Sequence, residues 1–210
     1  MAIAIHDAGD SCSFPDGVPA LEGNGLIVIG SGAGASLATI EDRGKAGFVA
    51  IELGTECLAE HVGLDPDPQA ARIVGFARFR LGDAPPGKLV ELVSMPWTDP
   101  QAITAAQAAF ESAGLIVARC ADMPGRIVDR LIRPYFNAVL RRLDDGLASA
   151  DDMDTTLRLG LGYPEGPNAL LARTGLQHHH DVTAALHAAL GDPDFIPARR
   201  ARIAKARARA

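Results

Sequence analysis

The pattern of apolar and polar positions changes character near residue 122. Before that point, short β-rich apolar runs alternate with turn residues; after it, apolar positions recur at helical spacing. Runs at 2–6, 26–30, 48–53, 72–79, 89–94 and 115–120 predict six strands, several of them apolar throughout, as strands buried on both faces of a parallel sheet are. Between the last two runs, Asp99 and Pro100 supply an N-cap and a first-turn proline. Apolar and alanine positions from Ile103 to Phe110 then predict a helix ended by Gly114, so that 89–120 is a βαβ unit. The expected class is an α/β domain over 1–121 followed by an all-α domain over 122–210.

In the second half, Ile127, Leu131, Tyr135, Val139 and Leu143 fall four apart and predict one long helix with a buried stripe, kinked at Pro134. Ser149 followed by Asp152 announces a second helix, for which Gly160 is the expected stop. Gly162 to Pro167 forms a rigid turn, and two further helices are expected over 169–173 and 182–190.

Composition narrows the class without changing it. With 48% apolar and 22% charged residues in 210, the chain has the usage of a folded globular protein. The longest uncharged stretch of the first half, Gly25 to Ile40, is diluted by Gly, Ser and Thr, so no membrane helix is expected. The first residues lack a basic and apolar leader, which makes the cytoplasm the default location. Cys12, Cys57 and Cys120 are odd in number and far apart, the pattern of reduced thiols. Net charge is −6, but six basic residues among the last twelve leave −12 on residues 1–198. No aromatics interleave these arginines and the acidic body repels phosphate, so a solvated helix face is expected there rather than a nucleic-acid site.

Two motifs invite a chemical reading. Gly30-Ser-Gly32-Ala-Gly34-Ala35 follows an apolar strand in a G-x-G-x-x-A pattern, with Glu52 about twenty residues on. In a dinucleotide site Gly30 and Gly32 would admit the pyrophosphate and Glu52 would hold the ribose. His178, His179 and His180 are adjacent, and neighbouring helix positions point about 100° apart, so they cannot converge on one ion. A polar helix surface is expected there, and no metal. Neither a nucleophile elbow nor a phosphate-loop lysine is present.

The stretch Asp122-Met-Pro-Gly-Arg-Ile-Val-Asp-Arg130, continued through 148–155 to Arg158-Leu-Gly-Leu-Gly-Tyr-Pro-Glu-Gly-Pro167, closely resembles the helical C-terminal domain of the 3-hydroxyacyl-CoA dehydrogenases. Upstream, Ile73-Val-Gly-Phe-Ala-Arg-Phe79, Leu89-Val-Glu91 and Leu53-Gly-Thr-Glu-Cys-Leu58 look like further segments of that family, so the likeness covers about 48–190. It is nearest to the shortened second half that some long members carry. The first domain is then expected to be a truncated Rossmann-like parallel sheet.

The resemblance implies NAD as cofactor, an acyl-CoA ligand and a homodimer formed through the helical domain. In such enzymes a histidine takes the hydroxyl proton, a glutamate orients it, and a serine and an asparagine position the substrate oxygen. Carried over, the glutamate is Glu91, but the histidine position is Ala77, the serine position Glu56 and the asparagine position Asp129. Alanine cannot accept a proton, and two carboxylates have the wrong sign beside a developing alkoxide. The expectation is a catalytically degenerate acyl-CoA-binding or assembly component of fatty-acid or β-oxidation-type metabolism. The alternative is an active NAD-dependent dehydrogenase in which Glu56 or Asp129, its pKa raised by burial or by the other's charge, is the base. Arg78 and Arg80, two apart on a strand, are expected to share a face and grip a phosphate of CoA.

Overall fold

A computed structural model describes residues 3–40 and 44–208. They form two compact units: Met1–Arg80 with Pro86–Ile127, and Leu81–Pro85 with Val128–Ala210. The boundary expected at 121/122 lies at the end of the last strand, whereas the units divide between Ile127 and Val128.

The first unit is built on a six-stranded sheet: β1 (Ala4–Asp7), β2 (Leu26–Ile29), β3 (Val49–Glu52), β4 (Ile73–Arg78), β5 (Leu89–Ser94) and β6 (Ile116–Ala121). The strands lie in chain order across the sheet. All neighbours are parallel except β4 and β5, which are antiparallel. That exception departs from the parallel sheet expected, and it has a local cause. A parallel return needs a crossover of a dozen or more residues, usually a helix, whereas the proline- and glycine-rich link from β4 to β5 has none.

Strand alternation divides the core into two layers. Ile27, Ile29, Ala50, Val74, Phe76, Val90 and Leu92 face one side, where α3 (Pro100–Ser112) covers them with Ala102, Ala106, Ala109 and Phe110. Leu26, Val28, Val49, Ile51, Ile73 and Val93 face the other, under α1 (Ala33–Leu37) and α2 (Ala59–Val62). Because both faces are covered, the central strands are largely apolar, and the acids they carry, Glu52 and Glu91, are buried. The link from β1 to β2 carries no helix; Phe14 does part of that work by packing on Phe76 at 5.9 Å. Asp99 caps α3 by accepting from the Gln101 amide, as the Asp-Pro pair predicted.

The second unit contains α4 (Val128–Asp144), α5 (Ala150–Leu161), α6 (Pro167–Thr174), α7 (Leu176–Leu190) and α8 (Arg199–Ala208), with a 3-10 turn over Pro193–Phe195. Phe136, Leu140, Leu171, Ala198 and Ala201 form its core. Ser149 caps α5 as expected. The helix passes through Gly160, however, and stops at Gly162, whose left-handed φ of 72° ends the helix geometrically. Both α6 and α7 begin earlier than their apolar spacing indicated, because Pro167 starts α6 and the histidine run belongs to α7.

The stripe on α4 also needs correction. Leu131 is 70% exposed, while the inward face carries Arg133, Phe136, Asn137 and Leu140. Two polar residues can occupy it because each finds a buried partner.

Candidate active site

Glu91 and Ala77 are cross-strand partners in the antiparallel β5–β4 pair, so their side chains leave the sheet side by side. A histidine at 77 would stand against the Glu91 carboxylate; the alanine leaves that position without a proton acceptor. Glu91 is 2% exposed and accepts a 2.8 Å hydrogen bond from the Ile127 amide. Its charge is matched by Arg126, whose Nε lies 3.5 Å from Glu91 Oε2. Arg126 is itself buried, adopts a positive φ of 51°, and donates from Nη2 to the Gly54 carbonyl at 2.6 Å. A guanidinium thus neutralises the carboxylate that would orient an imidazole in the expected scheme. Arg126 carried no signal in the sequence beyond a basic residue after Gly125.

The loop after β3 holds the next candidate. Glu56 accepts from the Gly54 amide at 2.9 Å and faces His61 Nε2 across 3.7 Å, a gap spanned by charge attraction rather than a direct hydrogen bond. Burial pushes the Glu56 carboxyl up, but His61 and the Gly54 N–H outweigh it and hold the group at about 2. His61 is raised in turn by Glu56, against the effect of burial. The carboxylate therefore moves in the direction opposite to that required of a replacement base. Asp122 anchors the same loop, accepting from the Leu58 and Ala59 amides at 2.6 and 2.9 Å. The neighbouring thiols are poor nucleophiles: burial and nearby carboxylates push Cys57 and Cys120 to about 11.

Asp129 lies in the helical unit, in the first turn of α4, where its Oδ1 accepts from Arg133 Nε at 2.7 Å. Arg133 Nη1 approaches His179 Nδ1 at 3.4 Å, and His179 Nε2 lies 3.1 Å from Asn137 Oδ1. That oxygen also accepts from the Ala198 amide, which identifies it as the acceptor and places the His179 proton on Nε2. Burial first, then Arg133 and His180, depress His179 to about 3, so the ring is neutral. The expectation of a polar surface for the histidine run fails at this residue, which is 1% exposed.

The glycine-rich turn does not fit a dinucleotide. Its amides are engaged by the chain: Gly30 N–H donates to Glu52 Oε2, Ser31 to the Asp10 carbonyl, Gly32 to that of Ala8 and Ala33 to that of Gly30. A side chain at Gly30 would collide with the Gly9 backbone, at Gly32 with the Ala8 carbonyl and at Gly34 with the His61 ring. The space that glycines would leave for a pyrophosphate is thus filled by protein. Glu52, 6% exposed, also accepts from Ser11 Oγ and the Ser13 amide, both at 2.6 Å, and so faces inward rather than toward a ribose.

The guanidinium of Arg78, expected to grip a phosphate together with Arg80, is engaged by the chain itself. Arg78 donates to three carbonyl oxygens, those of Gly87, Ser13 and Pro86, and lies over the Phe14 ring at 5.0 Å. Arg80 falls beyond the end of β4, so the alternation that would align the pair does not extend to it.

Comparison with known proteins places the helical unit. Residues 125–208 match the family model for the 3-hydroxyacyl-CoA dehydrogenase C-terminal domain. The human mitochondrial hydroxyacyl-coenzyme A dehydrogenase is 39% identical over 109 residues, covering 48% of this chain and 35% of that protein. A probable 3-hydroxybutyryl-CoA dehydrogenase of Bacillus subtilis is 28% identical over 126 residues, or 60% of this chain and 43% of its own length. The chain thus aligns with well under half the length of these relatives. The crystal structure of (S)-3-hydroxybutyryl-CoA dehydrogenase from Ralstonia eutropha superposes with a TM-score of 0.73 at 23% identity, over 88% of this chain and 66% of that one, a likeness of fold.

Proposed function

We propose that this chain, whose residues 125–208 match the model of the 3-hydroxyacyl-CoA dehydrogenase C-terminal domain, is a member of that family that binds an acyl-CoA without oxidising it. The observation that carries the reading is Ala77 beside a Glu91 whose charge is already answered by Arg126. A positioned general base is worth roughly 10² to 10⁴ in rate, and no group stands in for it at that position. Glu56, held at about 2, is too weak a base at neutral pH to replace an imidazole. Fatty-acid or β-oxidation-type metabolism is the setting we infer from the relatives' names.

The helical unit also supports a homodimer, since Leu131, Leu159, Leu161 and Tyr163 leave apolar surface exposed on it. Free thiols fit the reducing cytoplasm. No described helix is long and apolar enough to cross a membrane.

The test has two arms on one preparation. Calorimetry with acetoacetyl-CoA should show saturable binding, and 3-hydroxybutyryl-CoA with NAD should yield no NADH. Turnover in the parent that Glu56→Gln or Asp129→Asn abolishes would establish the active alternative instead.

A further inference from the structure

We infer that the glycine-rich turn after β2, with Glu52 and the segment from Ser11 to Ser13, is an internal clasp standing where an open α/β sheet would take a dinucleotide, and that NAD does not bind at this turn. This goes beyond the absence of turnover, because a chain without a catalytic base can still hold its cofactor.

Two independent features support it. The first is topological. In open α/β sheets ligands bind outside the carboxyl ends of the strands, in the crevice where the strand order reverses. Among the described strands the order follows the chain from β1 to β6, with β1 at the edge, so no reversal opens such a crevice beside the turn.

The second is chemical. The carboxyl ends of β2 and β3 are covered by the chain's own polar groups, centred on Glu52. Its Oε2 accepts from Ser11 Oγ and the Gly30 amide, and its Oε1 from the Ser13 amide. Ser13, 1% exposed, extends the clasp to β4, since its Oγ accepts from the Arg78 amide and its carbonyl from Arg78 Nη1. Ser11 Oγ in turn accepts from the Phe14 amide at 2.8 Å, which sets the ring of Phe14 into the core. A carboxylate that answers three donors inside the protein has its negative charge at the point a pyrophosphate would approach. The amides that would face the phosphates already have acceptors. The same residue types that suggest a cofactor loop in the sequence, closely spaced glycines and a later acid, are what a tight self-contact with a buried acceptor also requires.

NADH fluorescence titrated with the parent chain, together with thermal unfolding of Glu52→Gln and Ser11→Ala, decides the matter. The expected results are no saturable NADH binding at the turn, a melting temperature lowered by roughly 5–10 °C in Glu52→Gln and by a few degrees in Ser11→Ala. Ser31→Asp, at an exposed turn position, adds charge where a pyrophosphate would lie. Saturable NADH binding that Ser31→Asp weakens tenfold or more overturns the inference, and so does an unchanged melting temperature in both clasp variants. NADH binding indifferent to Ser31→Asp lies elsewhere and leaves it standing. The acetoacetyl-CoA arm is read separately: loss of that binding removes the proposed function and leaves the clasp untouched.

Discussion

The two units bury charge in different ways. In the sheet unit two buried acids, Glu52 and Glu91, are met by main-chain amides outside the strands, with the buried cation Arg126 added for Glu91. In the helical unit Asp154 is likewise met by the Asn168 and Ala169 amides, but the buried cation, Arg133, is matched by the side chain of Asp129 and linked through neutral His179 to Asn137. Amides in loops and at helix starts can answer a buried carboxylate, whereas the carbonyls on a helix's inner face are already hydrogen-bonded, so the buried cation Arg133 is answered by side chains of its own helix and of α7. The first arrangement depends on backbone geometry and the second on a relay whose middle member titrates. Their responses to mutation and to pH should therefore differ.

The chain supplies its own reporters for that contrast. Its single tryptophan, Trp97, lies in the sheet unit, and its two tyrosines, Tyr135 and Tyr163, lie in the helical unit. The largest effect is expected from Arg126→Met, which removes the cation matched to the buried Glu91 carboxylate at a cost of about 3–5 kcal/mol. Urea unfolding followed by Trp97 fluorescence should shift to lower denaturant while the tyrosine signal holds. Adding Glu91→Gln should recover much of the loss, and a double variant no better than the single would dissolve the assigned pair.

Next comes Asn137→Ala, which leaves the Ala198 amide, the Asp194 carbonyl and the His179 Nε2 proton without partners. About 2–3 kcal/mol of destabilisation is expected, now in the tyrosine transition. Equal shifts in both reporters would mean that the units unfold as one and that the contrast is not thermodynamic.

The pH test is smaller and has opposite signs in the two units. A buried imidazole depressed from 6.5 to about 3 stabilises the fold in its neutral form, so the contribution of His179 is complete above 6.5 and is lost as pH falls toward 3. Glu56, lowered from 4.5 to about 2, contributes above 4.5, and His61, raised from 6.5, contributes below 6.5. That pair is therefore most favourable between about 4.5 and 6.5. Going from pH 7 to pH 5 should weaken the helical unit by about 1–2 kcal/mol while the pair in the sheet unit strengthens slightly. Hydrogen exchange read separately in α7 and α2 would show it, and parallel changes in the two helices would contradict the assignment. The smallest effect is expected from Glu56→Gln, below about 1 kcal/mol because the pair is partly exposed, and visible mainly as a flatter pH response of the Trp97 transition.

Much of the architecture was available from the sequence, because strand and helix periods, Asp99-Pro100 before α3 and Ser149 before α5 act locally. The type of the six strands and of α3 to α7 follows from their own residues and spacing, whereas the four-residue α2 and the 3-10 turn left no such pattern. Glu91 and Ala77 could likewise be singled out by resemblance. What tertiary structure alone decided is the identity of their neighbours. Arg126 meets Glu91, His61 meets Glu56 and Asn137 meets His179 across 35, 5 and 42 positions of chain; the first and last of these pairs are shut away from water, while His61 and Glu56 are partly exposed. The glycine-rich turn shows the same limit. Its spacing reports that backbone must pass closely there, and whether the close neighbour is a pyrophosphate or the chain's own Ala8, Gly9 and His61 is a fact of packing. Close approach leaves its mark on a sequence as a missing side chain; the identity of the approaching group does not, because contact energy belongs to pairs that folding alone brings together.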